Sequence, residues 1–195
     1  MEKFDEIAFV THNKGKIFQA QQYLKKVKFV AYEAELIEPR SDDLKKIATA
    51  KVKQAYEMVK KPCIAQDSGF YIDALNGFPK TFVNFSMETI GVDGYLKLME
   101  NKENRHCAFK ECLAYYDGKD IKYFYGIHEG NIAKEKAGIS RKEKWSDLWY
   151  IFKPLNFDIT LAEMDEVQRE ERRKKDGSVS AMASFAKWYE GEDKE

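Results

Sequence analysis

Hydrophobic and polar positions follow two different spacings along the first third of the chain. The short apolar run at 7–11 predicts a buried strand, and a second strand is predicted at 27–32. Between them, apolar residues recur at near-helical spacing over 17–24 and predict a helix. A longer helix is predicted over 44–59, where two aspartates precede an apolar stripe and a proline follows it. This alternation of strands and helices is typical of an α/β fold.

The middle of the chain shows the two-residue period of strands. A brief strand at 63–65 leads into the polar residues 66–69 and continues at 70–72. Two strongly alternating runs, 107–116 and 121–132, enclose an Asp-Gly turn and predict a hairpin of long antiparallel strands.

The last third is more polar. Residues 134–147 are loop-like, and a last strand is predicted at 149–152, closed by Pro154. The tail 165–176 is almost entirely charged, and its basic run 169–175 predicts a solvated helical face, with a polyanion contact as the alternative. A short amphipathic helix is predicted over 181–189. We therefore expect one bilobed domain over 1–195, an α/β fold with a mixed sheet, two lobes and a cleft between them.

Charge and composition exclude several classes of protein. The 195 residues carry 33 Lys and Arg against 33 Asp and Glu, whereas a general nucleic-acid binder or a membrane-surface protein needs excess positive charge. No apolar run approaches the roughly 20 residues of a membrane-spanning helix. Global disorder is excluded because 44% of the residues are hydrophobic. The charged N-terminus is unlike a secretory signal, and an odd number of cysteines without metal-site spacing predicts buried thiols in a cytoplasmic protein.

The turn from Thr11 to Lys16, with the sequence Thr-His-Asn-Lys-Gly-Lys, is the first candidate site. A strand that ends in a polar turn and opens a helix offers free backbone N–H groups and the positive end of a helix dipole, which together favour phosphate. Lys16 adds a mobile cation. An ordinary strand-to-helix turn with solvated lysines is the alternative.

The second candidate is the polar interruption at Asp67, Ser68 and Gly69. An acid at the end of a buried strand can hold a metal or act as a base in a hydrolase. Glu38, held by the proline that follows it, could supply a second carboxylate. A capped turn and a solvated loop acid are the alternatives for these two segments.

These segments occur together in an order that resembles the inosine triphosphate pyrophosphatase family, and especially its archaeal members. The resemblance spans about 7–164, most of the chain. It rests on the T-x-N-x-G-K turn, a glutamate before the second helix, and the segments Asp67–Phe70, Asp73–Pro79, Met87–Gly91 and Thr160–Met164, together with the strands of 107–132.

The resemblance implies an elongated α/β fold, a homodimer, Mg²⁺ and hydrolysis of a nucleoside triphosphate to a monophosphate and pyrophosphate. The residues that match the family motifs would contact the phosphates, bind the metal or orient the attacking water. By this resemblance Glu38 and Asp67 would bind the metal, and Asp67 would also orient or deprotonate the attacking water. The residues that would contact the substrate are Thr11, His12, Asn13, Lys14, Gly15, Lys16, Lys51 and Ser68, with Lys16 also assigned a catalytic role.

Several positions depart from the family pattern. Gln66 stands where the family usually has an acid, and Asn84 stands where it commonly has a basic residue. Trp149 replaces an aspartate of the nucleotide pocket. A core or dimer contact is the favoured interpretation of its ring, but it lies close enough to the expected pocket to stack on a base and is therefore kept among the substrate-binding candidates.

The tail departs further. Lys174 and Ser178 match the Lys-x-x-x-Ser-His-Arg motif that reads the purine base in the family, but Val179 and Ser180 replace His-Arg. Serine cannot make the bidentate contacts of an arginine, which predicts altered base specificity.

Two other functions remain open. A degenerate member could bind a nucleotide or a protein partner without catalysis, as four changed site positions suggest. Alternatively, the chain could hydrolyse a smaller phosphorylated substrate such as a nucleoside monophosphate, for which fewer cations suffice.

Overall fold

The computed structural model describes residues 4–140, 144, 146–176 and 180–191. The strands are β1 (Glu6–Val10), β2 (Lys28–Tyr32), β3 (Cys63–Ile72), β4 (Pro79–Lys80), β5 (His106–Tyr116), β6 (Ile121–Ile132) and β7 (Phe152–Pro154). The α-helices are α1 (Lys14–Tyr23), α2 (Leu44–Val59), α3 (Val83–Thr89), α4 (Gly91–Leu98), α5 (Glu166–Asp176) and α6 (Ala181–Glu190). Short 3₁₀ turns lie at Asp73–Leu75 and Asp147–Tyr150.

The seven strands form one mixed sheet in the order β2-β1-β3-β5-β6-β7, with β4 paired to β3. β1 is parallel to β2 and β3, whereas β4 is antiparallel to β3 and β7 is antiparallel to β6. Parallel neighbours need a crossover connection, and α1 and α2 provide it between the first three strands. The predicted mixed α/β sheet is confirmed.

The chain divides into two compact units. Unit 1 contains described residues within Met1–Ser68, Glu111–Gly126 and Ser178–Glu195. Unit 2 contains described residues within Gly69–Lys110 and Ile127–Gly177. Each unit has its own hydrophobic core.

In unit 1, successive strand residues point to opposite sides and bury two separate clusters. On one side, Ile64, Leu113 and Tyr115 pack with the apolar residues of α1 and α6, and we call this side the α1/α6 face. On the other side, Ala65 and Cys112 pack with α2, and we call this side the α2 face. This alternation fixes which helix each polar residue of β3 and β5 meets.

The helix α2 forms as its apolar stripe predicts. Ile47, Ala48, Val52 and Ala55 are buried. The side chain of Asp43 caps the helix. Its Oδ1 accepts hydrogen bonds from the backbone N–H groups of Lys45 and Lys46, at 2.8 and 3.3 Å. The cysteines Cys63, Cys107 and Cys112 are free and buried, as predicted.

The core of unit 2 is rich in aromatic rings. Phe109 lies between Phe70 and Phe152, at ring-centroid distances of 4.5 and 4.9 Å. The spacing of apolar residues did not predict the helices α3 and α4. The helix α4 contributes the buried Tyr95 to this core. The last strand is present but begins later than predicted: the chain forms a 3₁₀ turn at Asp147–Tyr150, and the strand β7 covers Phe152–Pro154.

The charged segment of the tail is helical, as expected, and forms α5. Among the described residues, no helix is long and apolar enough to cross a membrane.

Candidate active site

The N-terminus of α1 is built by two side chains of the polar turn. Asn13 is the N-cap, and its Oδ1 accepts a hydrogen bond from the backbone N–H of Lys16 at 3.1 Å. The hydroxyl of Thr11 accepts the backbone N–H of Asn13 at 3.2 Å and so orders the turn itself. Among the described residues, the backbone N–H groups of Lys14 and Gly15 have no acceptor. Free N–H groups at the positive end of a ten-residue helix favour the binding of an anion.

Lys16 points back from this helix toward β3. Its Nζ donates to the backbone carbonyl of Gln66 at 3.1 Å, its one side-chain hydrogen bond within the described residues. An ammonium group has three donors, so two are left for a ligand. The cation is therefore fixed at β3 and keeps two donors available.

A second cation, Lys51 of α2, joins two carboxylates on the α2 face of unit 1. Its Nζ lies 2.5 Å from Glu38 Oε1 and 3.2 Å from Asp67 Oδ1. The side chains of Lys51 and Asp67 are 13% and 9% exposed, whereas that of Glu38 is 48% exposed. The two carboxylates predicted to bind a metal thus meet at one nitrogen, with Asp67 buried and Glu38 open to solvent.

The loop that carries Glu38 is fixed by a residue that the sequence did not single out. Gln54 of α2 accepts the backbone N–H of Ile37 at 2.9 Å and donates to the carbonyl of Ile37 at 2.7 Å. This paired contact replaces the backbone partner that a loop residue lacks. It holds Glu38 beside Lys51, which lies one turn before Gln54 on the same helix.

The electrostatic environments of the two lysines differ. Burial lowers the pKa of the Lys16 ammonium, the nearby charge of Lys51 lowers it further, and the carboxylates of Asp67, Glu111 and Glu38 oppose these effects without cancelling them. At Lys51, burial is the largest single influence and lowers the pKa, but the charges and hydrogen bonds of Asp67 and Glu38 together outweigh it. The pKa of Lys51 is therefore raised.

Glu111 of β5 is a charged residue of this cluster that the sequence analysis missed. The residue is only 9% exposed, and its Oε2 accepts the backbone N–H of Ala181 at 3.1 Å. Its position carried a signal, because Glu111 stands in register with the apolar Leu113 and Tyr115 on the same strand face. A titratable side chain on the apolar face of a strand marks a buried polar group that needs partners.

The chain matches the family model described as Ham1 family over residues 7–188. The chain belongs to the Ham1 family. It is 34% identical to the dITP/XTP pyrophosphatase of Thermococcus kodakarensis over 184 residues, which cover 93% of this chain and 96% of that protein. It is 35% identical to the dITP/XTP pyrophosphatase of Methanopyrus kandleri over 188 residues, which cover 94% and 96%.

Solved Ham1 structures share the fold. The Ham1 protein of Staphylococcus aureus matches with a TM-score of 0.74 and 24% identity, covering 95% of this chain and 100% of that chain. The HAM1 protein of Coxiella burnetii matches with a TM-score of 0.74 and 22% identity, covering 94% and 97%. The recognition of a pyrophosphatase family and of its α/β fold is thereby confirmed.

Within this Ham1 chain, most of the predicted site residues lie in unit 1. Thr11, Asn13 and Lys16 surround the N-terminus of α1, and Lys51 brings Glu38 to Asp67. The other predicted contacts of unit 1 are the exposed His12 and Lys14, together with Gly15 and the half-buried Ser68.

Of the two interpretations of Trp149, the structure agrees with the core contact and not with the base contact. Trp149 is 5% exposed and belongs to the hydrophobic core of unit 2. A ring enclosed by core residues cannot stack on a nucleotide base. Lys174 lies exposed on α5 in unit 2, where its Nζ is 3.9 Å from Glu170 Oε1. Asn84 is exposed on α3.

The matched tail motif is only partly within the described residues. Ser178 and Val179 lie outside them. Ser180, which the resemblance matches to the family's arginine, is the N-cap of α6, and its Oγ accepts the backbone N–H of Ala183 at 3.4 Å. Gln66 is 3% exposed, and its Oε1 has no hydrogen-bond partner in the part of the chain that the structure describes.

The donor set fits a magnesium ion. Glu38 and Asp67 supply carboxylate oxygens, which Mg²⁺ prefers, and Mg²⁺ usually takes one or two protein carboxylates with substrate phosphates and water. Within the described residues, no three His, Cys, Asp or Glu side chains are grouped so that they could hold a metal ion. The pair fits a magnesium ion whose other ligands are water and the phosphates of a substrate.

Proposed function

We propose that this chain hydrolyses a nucleoside triphosphate to a nucleoside monophosphate and pyrophosphate. The observation that carries the proposal is the contact of Lys51 Nζ with both Glu38 and Asp67, in the same unit as Lys16. Membership of the Ham1 family and relatives named dITP/XTP pyrophosphatase, at 34 and 35% identity over almost the whole chain, support it.

The phosphate groups would bind at the N-terminus of α1. The backbone N–H groups of Lys14 and Gly15 would donate to phosphate oxygens. Lys16 would add a positive charge, since its Nζ contacts the carbonyl of Gln66 and no carboxylate of the described residues. Lys51 supplies a second cation. Donors fixed in advance stabilise the charge that develops on the leaving pyrophosphate, because they need no reorganisation during the reaction.

The attacking water would be oriented by Asp67. In the structure this carboxylate accepts a hydrogen bond from Lys51, and its burial keeps it in one orientation. Glu38 and Asp67 would hold Mg²⁺, which polarises phosphoryl oxygens and lowers the pKa of a bound water. With substrate bound, Lys51 would donate to a phosphate oxygen.

The proposal includes an altered base specificity relative to inosine and xanthosine triphosphate enzymes. Ser180 replaces the arginine of the base-reading motif, and its hydroxyl caps α6. A short hydroxyl cannot reproduce two parallel N–H contacts to a base. From the resemblance we also propose a homodimer, a single bilobed domain and a cytoplasmic location.

A panel of normal, deaminated and modified nucleoside triphosphates with Mg²⁺ tests this function, with pyrophosphate and phosphate assayed separately. We expect pyrophosphate release from at least one nucleotide, and a loss of at least about 100-fold in kcat for Asp67→Asn. The matched control is Asp73→Asn, which removes an exposed carboxylate of unit 2 that contacts His106 at 2.8 Å and leaves activity unchanged.

Other outcomes of the panel would overturn the proposal. Free phosphate released from monophosphates, with no pyrophosphate from triphosphates, would indicate a phosphatase of smaller substrates. Thermal stabilisation by nucleotides without any turnover, and with Asp67→Asn equal to the wild type, would indicate a binding protein.

A further inference from the structure

The helix α1, whose N-terminus is the proposed phosphate site, buries little apolar surface. Of its ten described residues only Ala20 is buried, whereas α2 buries four. The five described residues of β2, the next element along the chain, are exposed or half-buried. Packing of an apolar face supplies most of the stability of a helix in a protein. Polar contacts must therefore contribute to holding α1 in place.

The C-terminal end of α1 is held by a carboxylate from another helix. Directly after the C-cap of α1, the residues Lys25, Lys26 and Val27 present three consecutive backbone N–H groups. All three donate to one oxygen, Oε1 of Glu190, at 2.7, 2.6 and 3.3 Å. Consecutive N–H groups that converge in this way form an anion-binding concavity. We call this contact between Glu190 and residues 25–27 the Glu190 clasp.

Glu190 stands at an unfavourable end of its own helix. It is the last residue of α6, and the C-terminus of a helix carries the negative end of the dipole, where a carboxylate is disfavoured. The three N–H groups of 25–27 compensate a charge that α6 itself does not stabilise. Hydrogen bonds to an ionised acceptor are also roughly twice as strong as those between neutral groups. The clasp is therefore a strong contact between two segments that are distant in sequence.

The clasp and the proposed phosphate site lie at opposite ends of one helix. Ten residues of α-helix span about 15 Å and behave as a rigid element that can carry coupling between its ends. Ala20 and Leu24, which pack with α6, both lie toward the C-terminal end of α1. Release of the clasp would loosen this end, and the backbone N–H groups of Lys14 and Gly15 at the other end would move with the helix.

We propose that Glu190 is a positioning residue for the phosphate site, because it fixes the C-terminal end of α1 and thereby the direction of the N–H groups of Lys14 and Gly15. The inference rests on the proposed function for the identity of the ligand. The effect of the clasp on the far end of α1 does not, and it can be measured without any ligand.

Hydrogen exchange of backbone amides in the whole protein, followed by NMR, measures this effect. Glu190→Ala removes the acceptor of the clasp. The amides of Lys16 and Ile17, which donate to the N-cap residue of α1, should exchange at least about tenfold faster, as for the loss of hydrogen bonds to a charged group. The amide of Ile47 donates to the N-cap residue of α2 and should keep its rate. An equal acceleration at Ile47 would indicate general destabilisation and contradict the inference.

The second measurement is the Kd of inorganic triphosphate with Mg²⁺, from isothermal titration calorimetry. In Glu190→Ala this Kd should rise about tenfold, a common size for coupling between two sites. Glu190→Gln keeps an oxygen acceptor without the charge, so its Kd should lie within about threefold of the wild type. A Kd that is unchanged in Glu190→Ala, or raised equally in both variants, would overturn the inference.

The matched control is Tyr189→Phe, one residue earlier on α6. The hydroxyl of Tyr189 accepts the N–H of Phe4 at 2.6 Å and donates to the carbonyl of Phe4 at 2.9 Å. Its loss removes two hydrogen bonds between α6 and the chain before β1, but none to residues 25–27. The melting temperature should fall, while the exchange of Lys16 and the Kd of triphosphate stay at their wild-type values. Equal effects of Tyr189→Phe and Glu190→Ala would attribute both to the stability of α6 and refute the clasp.

Failure of the proposed function has a different signature. A wild-type protein that does not bind triphosphate would remove the phosphate site from α1 and with it the support for the proposed function. Faster exchange at Lys16 and Ile17 in Glu190→Ala would still establish that Glu190 positions α1. Unchanged exchange at these two amides would overturn the inference, whatever the affinity for triphosphate.

Discussion

Buried polar side chains have different partners in the two units. In the described part of unit 2 they are Ser86, Thr160 and Arg169, and each donates to a backbone carbonyl of its own unit. In unit 1 they include the carboxylates of Asp67 and Glu111, which lie near two lysines.

This difference separates structural from functional burial. A hydroxyl group that donates to a backbone carbonyl satisfies a buried polar atom and brings no charge into the unit. Among the buried polar residues in the described part of unit 2, only Arg169 is charged. Two carboxylates and two lysines in one region cost desolvation energy that an apolar core would not incur. The charged cluster of unit 1 is therefore where we place the chemistry, and unit 2 supplies a packed aromatic core.

The largest expected effect comes from removing the charge of Lys51, which contacts Glu38 and Asp67 in unit 1. In Lys51→Met, Asp67 loses its cationic partner and the phosphates lose a cation, so kcat/KM should fall at least about 100-fold. Stability should fall by about 2 kcal/mol, less than for a fully buried pair because Glu38 is half exposed. Steady-state kinetics and urea unfolding measure both quantities.

The control for this variant lies on the same helix. Lys53→Met changes an exposed lysine of α2 and should alter neither quantity. Equal activity of Lys51→Met and Lys53→Met would remove Lys51 from the site.

A change in the core of unit 2 should affect stability and leave substrate binding intact. Trp149→Ala leaves a cavity in the aromatic core, so the free energy of unfolding should fall by about 3–5 kcal/mol. Trp149→Phe should destabilise the protein less. Because we assign the ring to the core, KM for the best nucleotide should remain within about twofold of the wild type in Trp149→Phe, as for a residue without substrate contact. A tenfold increase in KM without loss of stability would restore Trp149 to the nucleotide pocket.

The smallest effect is expected from an ion pair on the surface of unit 1. Glu6 accepts hydrogen bonds from Lys28 and Lys61, at 2.6 and 2.8 Å, which lower the pKa of Glu6 from 4.5 to about 2. A carboxyl group whose pKa is lowered by folding stabilises the folded protein fully at pH values above its pKa in the unfolded chain. This stabilisation is lost as the pH falls through the pKa of the group in the folded protein. As the pH is lowered from about 4.5 to 2, the melting temperature of Glu6→Gln should therefore fall less steeply than that of the wild type. Parallel curves over this range would show that the exposed pair contributes nothing measurable.

Much of the fold could be predicted because local signals agree with the tertiary structure. The stripe of α2 and its Asp43 cap, the strands 107–116 and 121–132, and the helix after Ser180 all have the predicted type. The 3₁₀ turn at Asp147–Tyr150 was mistaken for a strand because a short run of buried apolar residues does not distinguish the two.

Site residues could be predicted from the sequence only where they belong to a motif of the family. The turn from Thr11 to Lys16, and the acids Glu38 and Asp67, follow from the family resemblance. Glu111 and Gln54 belong to no such motif, and their roles depend on long-range pairing of β5 with α6 and of α2 with its preceding loop. Periodicity reports which face a residue occupies but not which distant element packs on that face.

The most direct test of the central claim is binding of inorganic triphosphate with Mg²⁺, followed by backbone amide NMR of the whole protein. This probe carries no base, so it reports on the phosphate site alone. We predict that the largest chemical-shift changes occur at the amides of Lys14, Gly15 and Lys16, at the N-terminus of α1. Changes confined to residues of unit 2, or saturation without any change at these three amides, would contradict the placement of the phosphate site in unit 1.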